Sequence, residues 1–185
     1  FSLASFPIMM GQKKWQPDII INIAPSILSS FSAIILGKLT NAKTILHLQD
    51  FELDAAFNLG ILPKNKFVFQ LVFKMEVELY KMFDYVSTIS NKMNDMLFKK
   101  GLSKNNTFLF PNWIDIDHIK PIDNASAFRK EWGIEEDTIV VLYSGNMGMK
   151  QGLEIIVKSA KMMLNNTNIL FVMCGDGSTR KQLQD

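Results

Sequence analysis

Two glycine-bearing loops near the end of the chain hold the residue types best suited to chemistry. Gly145, Gly148 and Gly152 punctuate SGNMGMKQG, and Gly175 and Gly177 flank Asp176 in CGDGS. Each loop follows an apolar, β-branched run, 138–143 and 169–174. The first loop precedes Leu153, Ile156, Val157, Ala160 and Leu164, which recur at helical spacing. Strand, glycine loop and helix in that order form the unit on which open α/β sheets bind phosphates, because backbone N–H groups and a helix N-terminus point at the anion. Glycine admits a close approach of backbone to phosphate, Lys150 adds a positive charge, and Asn146 and Gln151 add amides. The spacing matches neither GxxxxGK followed by Ser or Thr nor GxGxxG. One such loop alone is an ordinary βα turn. Two, 30 residues apart on neighbouring strands, point to a nucleoside diphosphate.

A second constellation is TILHLQDFELD. His47 lies at the end of an apolar run, with Asp50, Glu52 and Asp54 just beyond. A histidine there can hydrogen-bond a hydroxyl or phosphate and titrates near neutrality. The plainer reading is a histidine that buttresses a loop. His118 is distant in sequence and no ligand-spaced pair exists, so no metal site is expected. Segment 64–82 has Lys66, Gln70, Lys74, Glu78 and Lys81 on one helical face and Val68, Leu71, Val72, Met75, Leu79 and Met82 on the other. That predicts a core helix with a solvated lysine face. With Phe67, Phe69 and Phe73 close by, the alternative is an interfacial helix that attracts anionic lipid.

The remaining composition narrows the field. At 185 residues, 48% hydrophobic, the chain has the profile of a folded protein with room for a core. A net charge of +2, with Arg129 and Arg180 as the two arginines, argues against nucleic acid as a partner. The single cysteine, Cys174, excludes a disulfide framework; at the end of an apolar strand it reads as a buried thiol, consistent with a cytoplasmic location. The run 19–37 is uncharged, but Asn22, Pro25 and four serines interrupt it, so it reads as strand, loop and buried helix rather than a membrane span. Residues 1–10 lack a basic leader, so no signal peptide is evident, and the absence of an initial methionine suggests an excerpt.

Periodicity and punctuation place strands at 18–23, 43–48, 85–89 and 106–110, with helices at 26–39, 63–83 and 91–100 between them. This alternation predicts an α/β fold with a parallel sheet covered on both faces. Lys99 and Lys100 before Gly101 suit the negative end of a helix. Segment 111–121, PNWIDIDHIKP, breaks the pattern. Charge changes there too: residues 61–110 carry eight lysines against four acids, and 112–137 carry seven acids against three basic residues. A boundary follows, giving domains of 1–118 and 119–185, the second opening with a helix at 125–132.

Taken together, the segments resemble the retaining, nucleotide-sugar-dependent glycosyltransferases of family four, which have the GT-B architecture of two Rossmann-like domains. PDIIINIAPS, LHLQDFELD, DYVSTISNKMNDMLFKKG, FPNWIDID, YSGNMGMKQGLE and VMCGDGSTRKQL occur in family order over nearly the whole chain. SGNMG with KQGLE resembles the branch that builds bacterial colanic acid, capsule and O-antigen, fucosamine transferases among it.

The resemblance implies that both domains here are incomplete parts of GT-B domains, 1–118 on the acceptor side and 119–185 on the donor side. His47 would lie by the donor sugar and reacting phosphate. Gly145, Asn146, Lys150, Gln151 and Gly152, with Gly175, Asp176 and Gly177, would bind the donor diphosphate; Asp50, Ser90 and Asn91 would lie on the acceptor side. The family's usual Arg and Lys fall at Asn146 and Gln151, which leaves Lys150 as the loop's cation. A first glycine loop would precede Phe1 and a glutamate pair would follow Asp185, so residues 1–185 alone are expected to be inactive. The implied partners are a nucleotide sugar and a lipid-linked saccharide acceptor, with peripheral contact at the inner membrane surface and neither cofactor nor metal required. Two other readings stay open: a sugar-nucleotide epimerase of the same architecture, and a non-catalytic nucleotide-sugar-binding module.

Overall fold

The computed structural model describes residues 2–24, 27–58, 60, 66–121 and 127–184. The chain divides into two compact units, Phe1–Ile114 and Asp115–Asp185. The division falls inside PNWIDIDHIKP, where Asp115 Oδ1 accepts from the backbone N–H groups of Asp117 and His118 at 2.9 and 3.0 Å. Residues 122–126, shortly after the expected boundary, lie outside the described residues.

The first unit opens with α1 (Ser2–Gly11) and continues β1 (Ile19–Ala24), α2 (Ile27–Thr40), β2 (Lys43–Leu48), α3 (Glu52–Asn58), α4 (Lys66–Lys81), β3 (Tyr85–Thr88), α5 (Asn91–Lys99) and β4 (Thr107–Leu109). The four strands are parallel in the order β1-β2-β3-β4, with His47 opposite Ile23 on one side and Ser87 on the other. The apolar run that ends in the last turn of α2 is resolved as strand and helix by polar pairing. Asn22 donates to Ser30 Oγ and accepts from Ser29 Oγ, both at 3.0 Å, so the interrupting serines clasp α2 to β1. Asp84 ties the starts of β2 and β3 together. It accepts from the Thr44 N–H and from Lys43, which hold its carboxyl below the usual carboxylate range.

Ile20, Ala24, Leu46, Leu48 and Val86 point from the strands into a core completed by Ala33, Ile34 and Leu36 of α2, Leu79 and Tyr80 of α4, and Leu97 of α5. The expectation of cover on both faces needs correction for β1. Ile19, Ile21 and Ile23, on its other face, are 58, 56 and 57% exposed, because the described residues put their helical cover on the side of Ile20 and Ala24.

The expected burial of α4 also needs correction. Val72 and Leu79, read as core, are covered, but Val68, Leu71, Met75 and Met82, also read as core, are exposed, and Phe69, Phe73, Glu76, Val77 and Tyr80 turn inward instead. The cause is an ion cluster. Lys100 Nζ, just after α5, reaches Glu76 Oε2 at 2.8 Å and Asp54 Oδ2 at 2.6 Å; Tyr80 Oη donates to Glu76 Oε1 at 2.7 Å. The ammonium lies over the rings of Phe51 and Phe73, and the side chains of Lys100 and Glu76 are almost wholly buried. Lys100 therefore crosslinks α3, α4 and α5 instead of facing the end of its helix from solvent. That end is closed as expected by Gly101, at φ 91°, with Leu102 N–H bonded to Leu97 O. Residues 63–65, the expected start of α4, lie outside the described residues.

The second unit contains α6 (Ala127–Glu131), β5 (Ile139–Ser144), α7 (Glu154–Met162), β6 (Ile169–Cys174) and α8 (Arg180–Gln184). β5 and β6 are parallel and in register from Ile139 opposite Ile169 to Ser144 opposite Cys174. Residues 125 and 126 of the expected α6 lie outside the described residues. Cys174 is exposed, not buried as expected: it ends β6 on a face shared with Val172 that borders an open apolar cavity also lined by Trp132, Val140 and Leu142.

Candidate functional site

In the second unit the two glycine loops leave the carboxyl ends of neighbouring parallel strands and are laid against each other, backbone to backbone. Gly145 N–H donates to Cys174 O at 3.0 Å, and Met147 N–H to Asp176 O at 2.8 Å. In return Met147 O accepts twice from Thr179, from its N–H at 2.9 Å and its hydroxyl at 2.7 Å. Met147, Leu153 and Thr179 are buried beneath the loops and give them a small core. The glycines are what this contact requires. A Cβ on Gly175 would collide with the backbone oxygen of Gly145, and one on Gly177 with the carbonyl of Met147.

Above that base, Gly145, Asn146, Lys150, Gln151, Gly152, Gly175 and Asp176 are exposed. The first loop contains a short 3-10 turn, Met149–Gln151, in which Gln151 Oε1 accepts from Gly148 N–H at 3.2 Å. Tyr143 Oη donates to Asn146 O at 2.7 Å. Gln151 thus shapes its own loop. In the second loop Asp176 Oδ1 accepts from Gly177 N–H at 2.8 Å, and Arg180 stands 3.6 Å from the same carboxylate. The arrangement is a double loop braced by hydrogen bonds from one loop to the other, with Asn146 and Lys150 exposed and α7 starting directly after it, a setting in which backbone N–H groups can meet an anion.

In the first unit, His47 sits in β2 at the carboxyl-end rim and is 4% exposed. Its Nδ1 is 2.9 Å from Ser87 Oγ on β3, its Nε2 is 2.7 Å from Gln49 Nε2, and Phe110 meets the ring edge-on at 5.4 Å. An amide nitrogen can only donate, so Nε2 accepts from Gln49 and Nδ1–H donates to Ser87. Burial pushes the imidazole pKa below its ordinary value, favouring this neutral form. Gln49 is paired in turn with Asn112, Nε2 to Oδ1 and Nδ2 to Oε1, each at 3.2 Å.

The other residues expected on this rim have local partners. Asp50 Oδ1 accepts from Phe51 N–H at 2.8 Å. Ser90 caps α5, its Oγ accepting from Met93 N–H at 3.3 Å, and Asn91 opens that helix exposed to solvent. Sequence reasoning missed Thr179, Gln49 and Asn112. Thr179 carried a signal as a threonine just before a helix. The amide pair carried none, since 63 residues separate its members.

Residues 124–185 match the family model described as glycosyl transferases group 1. Over its full length the chain is 35% identical to 46% of the Escherichia coli protein WcaI, whose name assigns it to colanic acid biosynthesis as a glycosyl transferase. An uncharacterized glycosyltransferase of Methanocaldococcus jannaschii is 24% identical over 98% of the chain and 45% of its own length. The chain thus spans about half the length of the curated relatives it matches. Among solved structures, Anabaena HepE in complex with UDP and glucose superposes with a TM-score of 0.66 at 17% identity, covering 98% of this chain and 47% of HepE. The lipopolysaccharide outer core galactosyltransferase WaaB superposes with a TM-score of 0.55 at 16% identity, over 97% of this chain and 42% of WaaB. The fold is therefore α/β with parallel sheets, similar to these GT-B proteins.

Proposed function

We propose that the chain is part of a group 1 glycosyltransferase that moves a sugar from a nucleotide-diphosphate donor to a lipid-linked saccharide, with retention at the anomeric carbon, in bacterial surface polysaccharide synthesis. The observation that carries this reading is the double glycine loop on the rim of β5 and β6. The family match over 124–185 and the likeness to WcaI support it, and HepE, which shares the fold, was crystallised with UDP.

In this reading Gly145, Asn146, Lys150, Gly152, Gly175, Asp176 and Gly177 surround the donor diphosphate, with Gln151 shaping the loop. As the glycosidic bond breaks, negative charge grows on the leaving diphosphate. N–H dipoles already fixed by the loop-to-loop hydrogen bonds, with Lys150, stabilise it without reorganising. We assign that role to the protein's own groups and not to a metal ion or cofactor. On the rim of the first unit, His47 serves the donor sugar, and Asp50, Ser90 and Asn91 serve the acceptor. The exposed apolar stripe of α4, Phe67, Leu71 and Met75 with Lys74 beside it, suits contact with the anionic inner surface of the membrane. No described helix is long and apolar enough to cross one.

The test is a donor screen with the complete protein, its membrane lipid fraction as acceptor source, and radiolabelled UDP-, GDP-, dTDP- and CMP-sugars. Label transferred to lipid with the anomeric configuration kept is the expected result. Product formed without acceptor would make the protein an epimerase, and nucleotide binding with no transfer would make it a binding module.

A further inference from the structure

The geometry points to the Gln49–Asn112 amide pair, not His47, as the group that meets saccharide hydroxyls on the rim of the first unit, with His47 as the positioning residue beneath it. This rests on the transferase reading and refines its saccharide side. His47 has no ring nitrogen to offer: Nδ1–H is given to Ser87, Nε2 is occupied by Gln49, and Phe110 covers the ring edge. At 4% exposure a substrate would have to displace Gln49 to reach it.

Gln49 is half-buried and Asn112 exposed. They stand one residue beyond β2 and three beyond β4, on the edge of a parallel sheet where ligands bind. Both Gln49 N–H bonds are spent, one on His47 and one on Asn112. The acceptor Nε2 therefore dictates which way the Gln49 amide faces, and Gln49 dictates the same for Asn112. After the mutual pair is made, Asn112 keeps one N–H and one Oδ1 lone pair, and Gln49 Oε1 keeps one lone pair. A donor next to two acceptors, held in fixed orientation, matches a vicinal diol, in which each hydroxyl both gives and accepts. A deoxy or blocked sugar would leave these groups unpaired, so the pair discriminates among sugars as well as binding them.

Two measurements on the complete protein test this. Imidazole nitrogen NMR should read His47 as protonated at Nδ1 and unprotonated at Nε2; in Gln49→Glu, the carboxylate beside Nε2 should bring a proton there. A wild-type ring protonated at Nε2 overturns the proposal. In the transfer assay, Asn112→Ala and Gln49→Ala should each raise KM at least tenfold for one substrate while kcat changes less than threefold. Whether donor or acceptor KM moves identifies which saccharide is held. His47→Asn should behave like Gln49→Ala. If Asn112→Ala leaves both KM values within twofold while His47→Asn abolishes turnover, His47 touches the substrate and the proposal falls. Circular dichroism checks that each variant is folded. A complete protein that transfers no sugar from any donor removes the transferase reading and the hydroxyl contact together, while the tautomer spectrum still decides whether Gln49 orients His47.

Discussion

Thr179 illustrates how much of the candidate diphosphate site depends on single atoms. Its hydroxyl and its N–H both end on Met147 O, so one side chain fixes the spacing of two loops. Thr179→Val keeps the shape and removes one buried hydrogen bond while leaving Met147 O its second. The expected cost is about 1 kcal/mol of stability, read as the denaturant midpoint, with Thr179→Ser near wild type. His47 gives a pH signature. Its folded pKa lies below the ordinary value of about 6.5. As pH falls through that value the unfolded chain takes up a proton that the folded chain refuses, so stability is lost on the acid side until the folded pKa is reached. Urea midpoints measured down from neutrality should fall in the wild type and stay flatter in His47→Asn. The position of His47 at a strand end was legible in the sequence. Ser87 and, through Gln49, Asn112 were not, because strand order and not spacing brings them to it.

Elements were legible where one physical signal dominates. β2 and β6 occupy the expected residues, since each is a short apolar run ended by polar or glycine residues. α3 was not expected, as ELDAAFN is too short to display a period. α4 was expected, and its polar face is exposed as expected at Gln70, Lys74, Glu78 and Lys81, but of its expected core face only Val72 and Leu79 are covered while Val68, Leu71, Met75 and Met82 are exposed. Sequence periodicity could not show that a charged residue, Glu76, would turn inward, because its burial depends on Lys100, 24 residues on. Removing one partner of a buried pair leaves the other charge uncompensated. Lys100→Met should therefore destabilise the protein by about 3–5 kcal/mol, seen as a large drop in thermal midpoint. A Lys100→Met, Glu76→Leu double variant should recover part of that loss. On the outer face, Leu71→Glu with Met75→Glu should leave the thermal midpoint unchanged and reduce sedimentation with anionic phosphatidylglycerol vesicles at least fivefold. Equal sedimentation would remove the membrane contact from α4.

At the scale of the whole molecule, the chain has two α/β units, each with a parallel sheet, and each carries its polar, chemistry-bearing residues at the carboxyl ends of its strands. The alternation of strand and helix made that fold legible, and the glycines marked the loops, although the contact between backbones that requires Gly175 and Gly177 was visible only in the structure. Cover on both faces of the sheet was the expectation, yet among the described residues Ile19, Ile21 and Ile23 have none. The account as a whole depends on the double loop binding a nucleoside diphosphate. The most direct measurement is calorimetric titration of the complete protein with UDP, GDP, dTDP and ADP, alongside Gly177→Ala, whose Cβ would force the loops apart at Met147. The account predicts that one of these nucleotides binds the wild type and binds Gly177→Ala at least tenfold more weakly, with the fold retained. A wild type that binds none of them, or a Gly177→Ala variant that binds equally well, would contradict it.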